Sequence, residues 1–222
     1  MKETLRRAFR VLPIVLLAAA SGCTGVRTLS DPTLVVRTSA GTELGVSTDY
    51  GVVFLGRTAQ SGRVYLTAWF GDGPQTESSV IEPVGSGVFT AETEIRLPEV
   101  PMNFQEILPG ATVLVVGRRN GELWEKSVSV QGDPRVDGIL LPGLRQLQSA
   151  PDQVGAGVFI LRDEDEDEKE LVGLVSGTLT LTDGAVTKHY TTVVGMKDVW
   201  RLVAHRRELD RRRPPVVRGD IE

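Results

Sequence analysis

The chain has 222 residues, with 25 Lys or Arg against 29 Asp or Glu, and a formal net charge of −4. This balance excludes the strongly basic surface typical of nucleic-acid-binding domains. The single cysteine excludes an internal disulfide, so burial alone must hold the core together. The length is enough for one large domain or two small ones, and the 24 glycines and 12 prolines fit many short strands joined by turns.

Residues 1–22 have the pattern of an export signal. The basic residues Lys2, Arg6, Arg7 and Arg10 precede an apolar run over residues 11–20, and two small residues follow it. An apolar run of this length is too short for a membrane-spanning helix, which needs about 20 apolar residues. We therefore predict that residues 1–22 are removed as a signal peptide.

The only cysteine follows this signal directly. The stretch Ala20–Cys23 resembles a bacterial lipobox, although leucine is more common than alanine at its first position. The resemblance implies a diacylglycerol on the sulfur of Cys23 and an acyl group such as palmitate on its amine. Two or three acyl chains anchor a protein stably, since each buried methylene contributes about 0.8 kcal/mol. We therefore predict a lipid-anchored envelope protein, on an outer membrane or on the periplasmic face of a membrane. The alternative is an ordinary secretory signal with an incidental cysteine.

From Leu34 onward the pattern is almost wholly β. Short Val-, Thr-, Leu- and Ile-rich runs alternate with Gly, Pro, Asn and Asp, which is typical of a barrel or a sandwich. Asn120-Gly121 and Asp183-Gly184 both predict tight hairpin turns. The predicted strands are Leu34–Arg37, Glu43–Ser47, Gly51–Leu55, Arg63–Phe70, Ser78–Pro83, Val88–Arg96, Thr112–Gly117, Leu123–Val130, Gly138–Leu141, Gly157–Leu161, Leu171–Leu179 and Val186–Val194.

The Pro-rich stretch 98–109 divides these strands into two groups of six. A change to helical periodicity begins at Asp198 and ends near Arg211, before two prolines. The predicted organisation is a tether over 23–36, an N-terminal barrel over 37–108, a C-terminal barrel with its helix over 109–213, and a tail over 214–222.

Three stretches carry a resemblance to the trypsin-like serine proteases. Residues 152–177 resemble the segment with the nucleophile, in which a Gly-rich turn and a strand are followed by a strand close to LVGIVSG. Residues 110–117 resemble the opening strand of the second barrel, and Val64–Phe70 is similar to the family's VLTAAHC segment. The resemblance implies two six-stranded antiparallel β-barrels closed by a C-terminal α-helix. A single β-sandwich is the alternative fold.

The resemblance places non-catalytic residues at the catalytic positions. The serine position falls on Val154, the histidine position on Phe70, and the aspartate position near Ala91 or Glu92. The only histidines, His189 and His205, stand near the end of the chain, whereas the family's base lies in the first barrel. We therefore predict no catalytic residues, and an inactive domain that binds a peptide or protein or acts as a scaffold. A structural lipoprotein with an unrelated sandwich and a hydrolase with a relocated nucleophile are the alternatives.

The sequence predicts no cofactor, no metal site and no nucleic-acid partner. The acidic run over residues 163–168 could offer carboxylates to Ca²⁺, but it lacks the ligand spacing and the glycine of an EF-hand loop. We interpret it as a solvated hairpin tip.

Overall fold

The computed structural model describes residues 31–57, 59, 62–71, 73–144, 153–162 and 168–199. The described chain is all-β. Its strands are β1 (Thr33–Thr38), β2 (Gly41–Thr48), β3 (Gly51–Phe54), β4 (Arg63–Phe70), β5 (Gly73–Gly85), β6 (Val88–Ala91), β7 (Thr112–Arg119), β8 (Glu122–Ser129), β9 (Ile139–Pro142), β10 (Gly157–Leu161), β11 (Lys169–Asp183) and β12 (Val186–Gly195).

Every predicted strand has a counterpart, although several boundaries differ. The largest extensions are in β5, which begins at Gly73 where Ser78 was predicted, and in β11, which runs over Lys169–Asp183 where Leu171–Leu179 was predicted. The sixth strand ends at Ala91, because residues 92–99 leave the sheet, where a strand was predicted as far as Arg96. The first strand begins at Thr33, inside the predicted tether.

The strands form two six-stranded antiparallel sheets. The first is a closed barrel in the order β1-β2-β3-β6-β5-β4, in which β4 returns to pair with β1. The second has the order β8-β7-β10-β11-β12-β9. Beyond β8, the amide of Gln131 donates to the carbonyl of Leu140 at 2.7 Å and links the two outer strands of this sheet. Followed around this link, the second sheet repeats the cyclic order of the first. The predicted two-barrel fold class is therefore confirmed, and the single sandwich is not the fold.

Alternation of apolar and polar side chains produces these barrels. In β4, Val64, Leu66 and Ala68 are fully buried, whereas Tyr65 between them is 56% exposed. A strand with this period presents one face to the barrel interior and the other to solvent. The first barrel is filled by the cluster Leu34, Val36, Val52, Phe54, Val64, Leu66, Ala68, Ala91 and Ile95.

A separate apolar cluster joins the two barrels. The first barrel contributes Val46, Val53, Leu55 and Val88, and the second contributes Val116, Phe159, Leu171 and Leu174, with Val100, Met102, Met196 and Val199 from the connecting segments. Burial of this shared cluster fixes the position of one barrel against the other, because separation would expose side chains from both.

The Pro-rich stretch between the barrels is held by main-chain hydrogen bonds. Val100 donates to the carbonyl of Ser47 in β2 at 3.1 Å, and Leu171 in β11 donates to that of Pro101 at 2.9 Å. The linker is thus hydrogen-bonded to both barrels and forms part of the seam, which is the interface between them.

The two predicted hairpin turns differ in register. Asn120 and Gly121 have φ values of 52° and 86°, as a turn with two left-handed central residues requires. In the second hairpin, Asp183 pairs with Val186, so Gly184 and Ala185 form the turn, and of the two only Gly184 has a positive φ.

The last described residues, Met196–Val199, form a single 3-10 turn. Beyond Val199 the predicted C-terminal helix and the tail lie outside the described residues. The lipobox with Cys23 and most of the acidic run also lie outside them. In the part of the chain that is described, no helix is long and apolar enough to cross a bilayer.

Candidate functional site between the two barrels

The turn that precedes β10 is clamped between the two barrels. Leu44 of β2 donates its amide to the carbonyl of Val154 at 2.7 Å, and Gly155 donates to the carbonyl of Val175 in β11 at 2.8 Å. Gly155 has a φ of +88°, and a Cβ at this position would lie 2.0 Å from the carbonyl oxygen of Leu44. Only glycine fits this left-handed conformation at such close backbone approach. The turn therefore has one fixed conformation.

A buried glutamine fixes the same turn from the other side. Gln153 is fully buried, accepts a hydrogen bond from the indole of Trp124 at 2.6 Å, and donates to the carbonyl of Arg118 at 2.8 Å. The guanidinium of Arg118 in turn lies 4.9 Å from the ring centre of Trp69 at the end of β4. Burial lowers the pKa of Arg118. The two segments that the sequence placed at the catalytic positions, 64–70 and 153–156, thus meet at this arginine.

The side chains of the assigned positions themselves do not converge. Val154 is half-buried against the cluster between the barrels, whereas Phe70 packs against the cluster inside the first barrel. Glu92 is exposed at the end of β6, where its carbonyl accepts a hydrogen bond from Ser79 at 2.6 Å. The catalytic equivalence of these three positions stays a prediction.

An arginine that the sequence assignment missed reaches across the seam. Arg57 follows β3 in the first barrel, and its Nη1 donates to the carbonyl of Ser176 in β11 at 2.5 Å. Its own amide donates to the buried carboxylate of Glu43 at 3.3 Å. The register of β3 with β6 places Arg57 at the opposite end of this strand pair from Glu92.

A signal for Arg57 was present in the sequence. Residues 52–57 also combine an apolar strand with a nitrogen-bearing side chain, as the VLTAAHC pattern does. Residues 66–68 read Leu-Thr-Ala, as the VLTAAHC pattern does, and this identity favoured β4 for the histidine position.

β11 has an open edge beside Arg57. Its pairing with β10 ends at Leu174, so from Ser176 to Asp183 it pairs, within the described residues, only with β12. A Cβ on Gly177 would have Nη1 of Arg57 at 3.6 Å and Oγ1 of Thr192 at 3.8 Å as its nearest atoms. Among the described residues outside its chain neighbours, no other atom lies within 4 Å of that position.

Acyl transfer needs a nucleophile beside a general base. Val154 carries no ionisable proton, and an arginine side chain offers hydrogen-bond donors but no acceptor. The hydroxyl of Ser176 bonds the hydroxyl of Thr192 at 2.9 Å. The described histidine, His189, contacts Thr180 on the exposed hairpin at 3.0 Å, and His205 lies outside the described residues. Within the described chain this site pairs no nucleophile with a base.

Among the described residues, no group of three or more His, Cys, Asp or Glu side chains could hold a metal ion. A cavity of about 580 Å³ lies apart from the inter-barrel site, between the linker and the β8–β9 connection, and the Glu106–Lys197 ion pair of 2.6 Å forms part of its wall.

The structure is similar to solved serine proteases of the trypsin-like fold. A human pathogenic astrovirus serine protease matches with a TM-score of 0.52 and 11% identity, over 75% of this chain and 91% of the viral chain. The MamO protease domain of Magnetospirillum magneticum matches with 0.52 and 18%, over 81% and 97%. The inactive form of the Rv3671c protease matches with 0.51 and 15%, over 80% and 89%. No family profile and no curated protein matches the sequence. At these identities the likeness establishes the trypsin-like two-barrel fold.

Proposed function

We propose that this chain is an exported, lipid-anchored protein whose trypsin-like domain binds extended peptide segments without hydrolysing them. The observation that carries the proposal is the composition of the inter-barrel site. A hydrocarbon side chain, Val154, occupies the clamped turn, and Arg57 of the first barrel places its guanidinium on the carbonyl of Ser176 in the adjoining strand β11.

The absence of hydrolysis follows from the charges at this site. A serine or cysteine attacks a carbonyl only when a neighbouring group accepts its proton. A protonated guanidinium repels the positive charge that such an acceptor would gain. The guanidinium of Arg57 donates to the carbonyl of Ser176, and the hydroxyl of Ser176 is hydrogen-bonded to the neutral hydroxyl of Thr192. Neither neighbour accepts a proton readily, so relocation of the nucleophile to Ser176 has no chemical support.

Peptide binding is supported by the open edge of β11. Unpaired backbone groups on a strand edge recognise an extended peptide by adding it to the sheet. Arg57 already uses the carbonyl of Ser176 at this edge, so an incoming peptide amide must compete with its guanidinium for that acceptor. The net value of one such hydrogen bond is about 1 kcal/mol.

Selection of a random decapeptide display library on the purified protein tests binding and cleavage together. We expect an enriched peptide that binds and remains intact by mass spectrometry after prolonged incubation. The Arg57→Ala variant frees the Ser176 carbonyl and should bind the same peptide roughly 2- to 10-fold more tightly. The matched control is Arg63→Ala, which removes an exposed arginine from β4 and should leave the affinity unchanged. Failure to enrich any peptide contradicts the binding role, and cleavage contradicts the inactive site.

The anchor is supported by the lipobox-like stretch before Cys23. Intact-mass measurement of the protein extracted from bacterial membranes tests it. We expect a mature chain that begins at Cys23 and carries diacylglycerol. The Cys23→Ser variant should be recovered in the soluble fraction. A mature chain without lipid would contradict the anchor.

A further inference from the structure

The first described residue is fixed to the second barrel. One carboxylate oxygen of Asp31 accepts the amide of Thr33 at 2.9 Å, and the other accepts a hydrogen bond from Nη2 of Arg118. Nη1 of the same arginine donates to the carbonyl of Gly121 in the β7–β8 turn. Side-chain exposures of 15% and 8% make this a largely buried ion pair. The chain therefore enters the domain at a fixed point beside the β7–β8 turn.

The length of chain before that point is short. Eight residue steps separate Cys23 from Asp31, and at most 3.3–3.6 Å per step gives a reach of roughly 29 Å. A flexible segment has a smaller average reach, about 5–6 Å times the square root of its length, or roughly 16 Å. A lipid at Cys23 thus holds Asp31 close to the bilayer surface.

We propose that the surface around Asp31 lies against the lipid bilayer. This tether face consists of Asp31, Trp69, Arg119, Asn120 and Glu122. The proposal rests on the proposed anchor at Cys23 and adds the orientation of the domain on the membrane, with lipid headgroups as the partner.

The tether face has side chains that suit a lipid headgroup region. Trp69 is half-exposed beside the buried Arg118, and Arg119 is exposed at the end of β7. Tryptophan and arginine are stable at a membrane–water interface because each combines an apolar body with a polar end. The buried Asp31–Arg118 pair is neutral as a unit, and the exposed charges of Arg119 and Glu122 offset each other, so the tether face has no net negative charge to repel anionic lipid.

The opposite end of the second barrel lies farther away. β8 runs from Glu122 at the tether face to Ser129, and Leu108 lies beside its far end, where Gly110 bonds the carbonyl of Val130 at 2.8 Å. The seven residue steps from Glu122 to Ser129 span about 24 Å in an antiparallel strand. Leu108 is 64% exposed and marks this distant end. With the tether face on the bilayer, the far end of β8 is therefore expected up to about 24 Å farther from the headgroups than Glu122.

Fluorescence quenching by lipid measures this difference. The native cysteine is lipidated in the anchored protein, so Glu122→Cys and Leu108→Cys variants each carry one free thiol for a bimane label. Each labelled lipoprotein is reconstituted into vesicles of phosphatidylcholine and phosphatidylglycerol that contain a headgroup-spin-labelled lipid. We expect at least threefold stronger quenching at position 122 than at position 108. Circular dichroism and denaturant midpoints of both variants establish that they are folded.

Each outcome separates the orientation from the anchor. Association with vesicles together with equal quenching, or stronger quenching at position 108, overturns the orientation alone. Failure of the protein to associate with vesicles, with Cys23 found unmodified, overturns the anchor and the orientation together. Insertion of 20 Gly/Ser residues after Ser30 should remove the contrast between the two labels, and a retained contrast contradicts the tether as its cause.

Discussion

At the scale of single residues, the inter-barrel site depends on positions where one residue type is required. Gly155 is required because its φ is left-handed and the carbonyl of Leu44 occupies the space of a Cβ. Arg118 holds the position through its guanidinium, which contacts Asp31 and Trp69. Residues of this kind hold the conformation of the turn in which Val154 lies.

A Gly155→Ala substitution should destabilise the fold strongly. We expect a loss of more than about 3 kcal/mol in the free energy of unfolding, since backbone strain of about 1–3 kcal/mol adds to a clash that only movement of β2 can relieve. Gly110→Ala is the matched control, because Gly110 has a φ of +93° and nothing within 4 Å of its Cβ position. It should cost about 1 kcal/mol. Urea denaturation measures both variants, and equal losses would contradict the close approach at Leu44.

An Asp31→Ala substitution should leave a buried guanidinium without its carboxylate. We expect a loss of about 3–5 kcal/mol in the free energy of unfolding. Because burial already lowers the pKa of Arg118, the uncompensated charge carries the cost. The double variant Asp31→Ala/Arg118→Met removes that charge and should recover part of the loss. A double variant less stable than Asp31→Ala in denaturant unfolding would contradict this account.

At the scale of elements, the pairing of strands decides which edges are available. β10 is paired on both sides, with β7 and β11, over Gly157–Phe159. β8 pairs with β7 on one side only, and in the described chain its other side meets β9 solely through the Gln131–Leu140 link beyond its end. In the second barrel, the pairing between β8 and β9 is therefore weak, because only one described main-chain hydrogen bond joins the two sides.

Amide hydrogen exchange should reveal the weak pairing between β8 and β9. Amides of β8 that point away from β7 have no strand partner among the described residues, so we expect them to exchange at least tenfold faster than those of β10. The measurement is amide exchange of the native protein, with β10 as the internal reference. Protection of β8 equal to that of β10 would show that another segment closes the barrel.

Local patterns in the sequence predicted the strands, but they did not predict the site. Alternation such as that of residues 64–68, and the Asn120-Gly121 turn, are local features whose physics acts within a few residues. The contact between Arg57 and Ser176 joins residues 119 positions apart, and it exists only because the two barrels pack against each other. Sequence similarity assigned the histidine position to Phe70, whereas in the structure it is the neighbouring Trp69 that packs against Arg118.

At the scale of the whole molecule, two barrels of the same cyclic strand order pack through a shared apolar cluster, and Leu44 of the first barrel also packs into the core of the second. The seam brings the turn around Val154, Arg57 and the open edge of β11 together, and Asp31 fixes the entering chain beside it. We propose that the trypsin-like fold retains a place where a peptide would bind, and that the side chains described there favour binding over hydrolysis.

Reaction with a fluorophosphonate probe, followed by intact-mass spectrometry, tests this central claim most directly. An active trypsin-like protease serves as the positive control under the same conditions. We predict that the purified protein gains no probe mass, because the described residues of the inter-barrel site pair no base with a nucleophile. Stoichiometric addition of one probe, abolished by Ser176→Ala or by alanine at another single serine, would contradict the account.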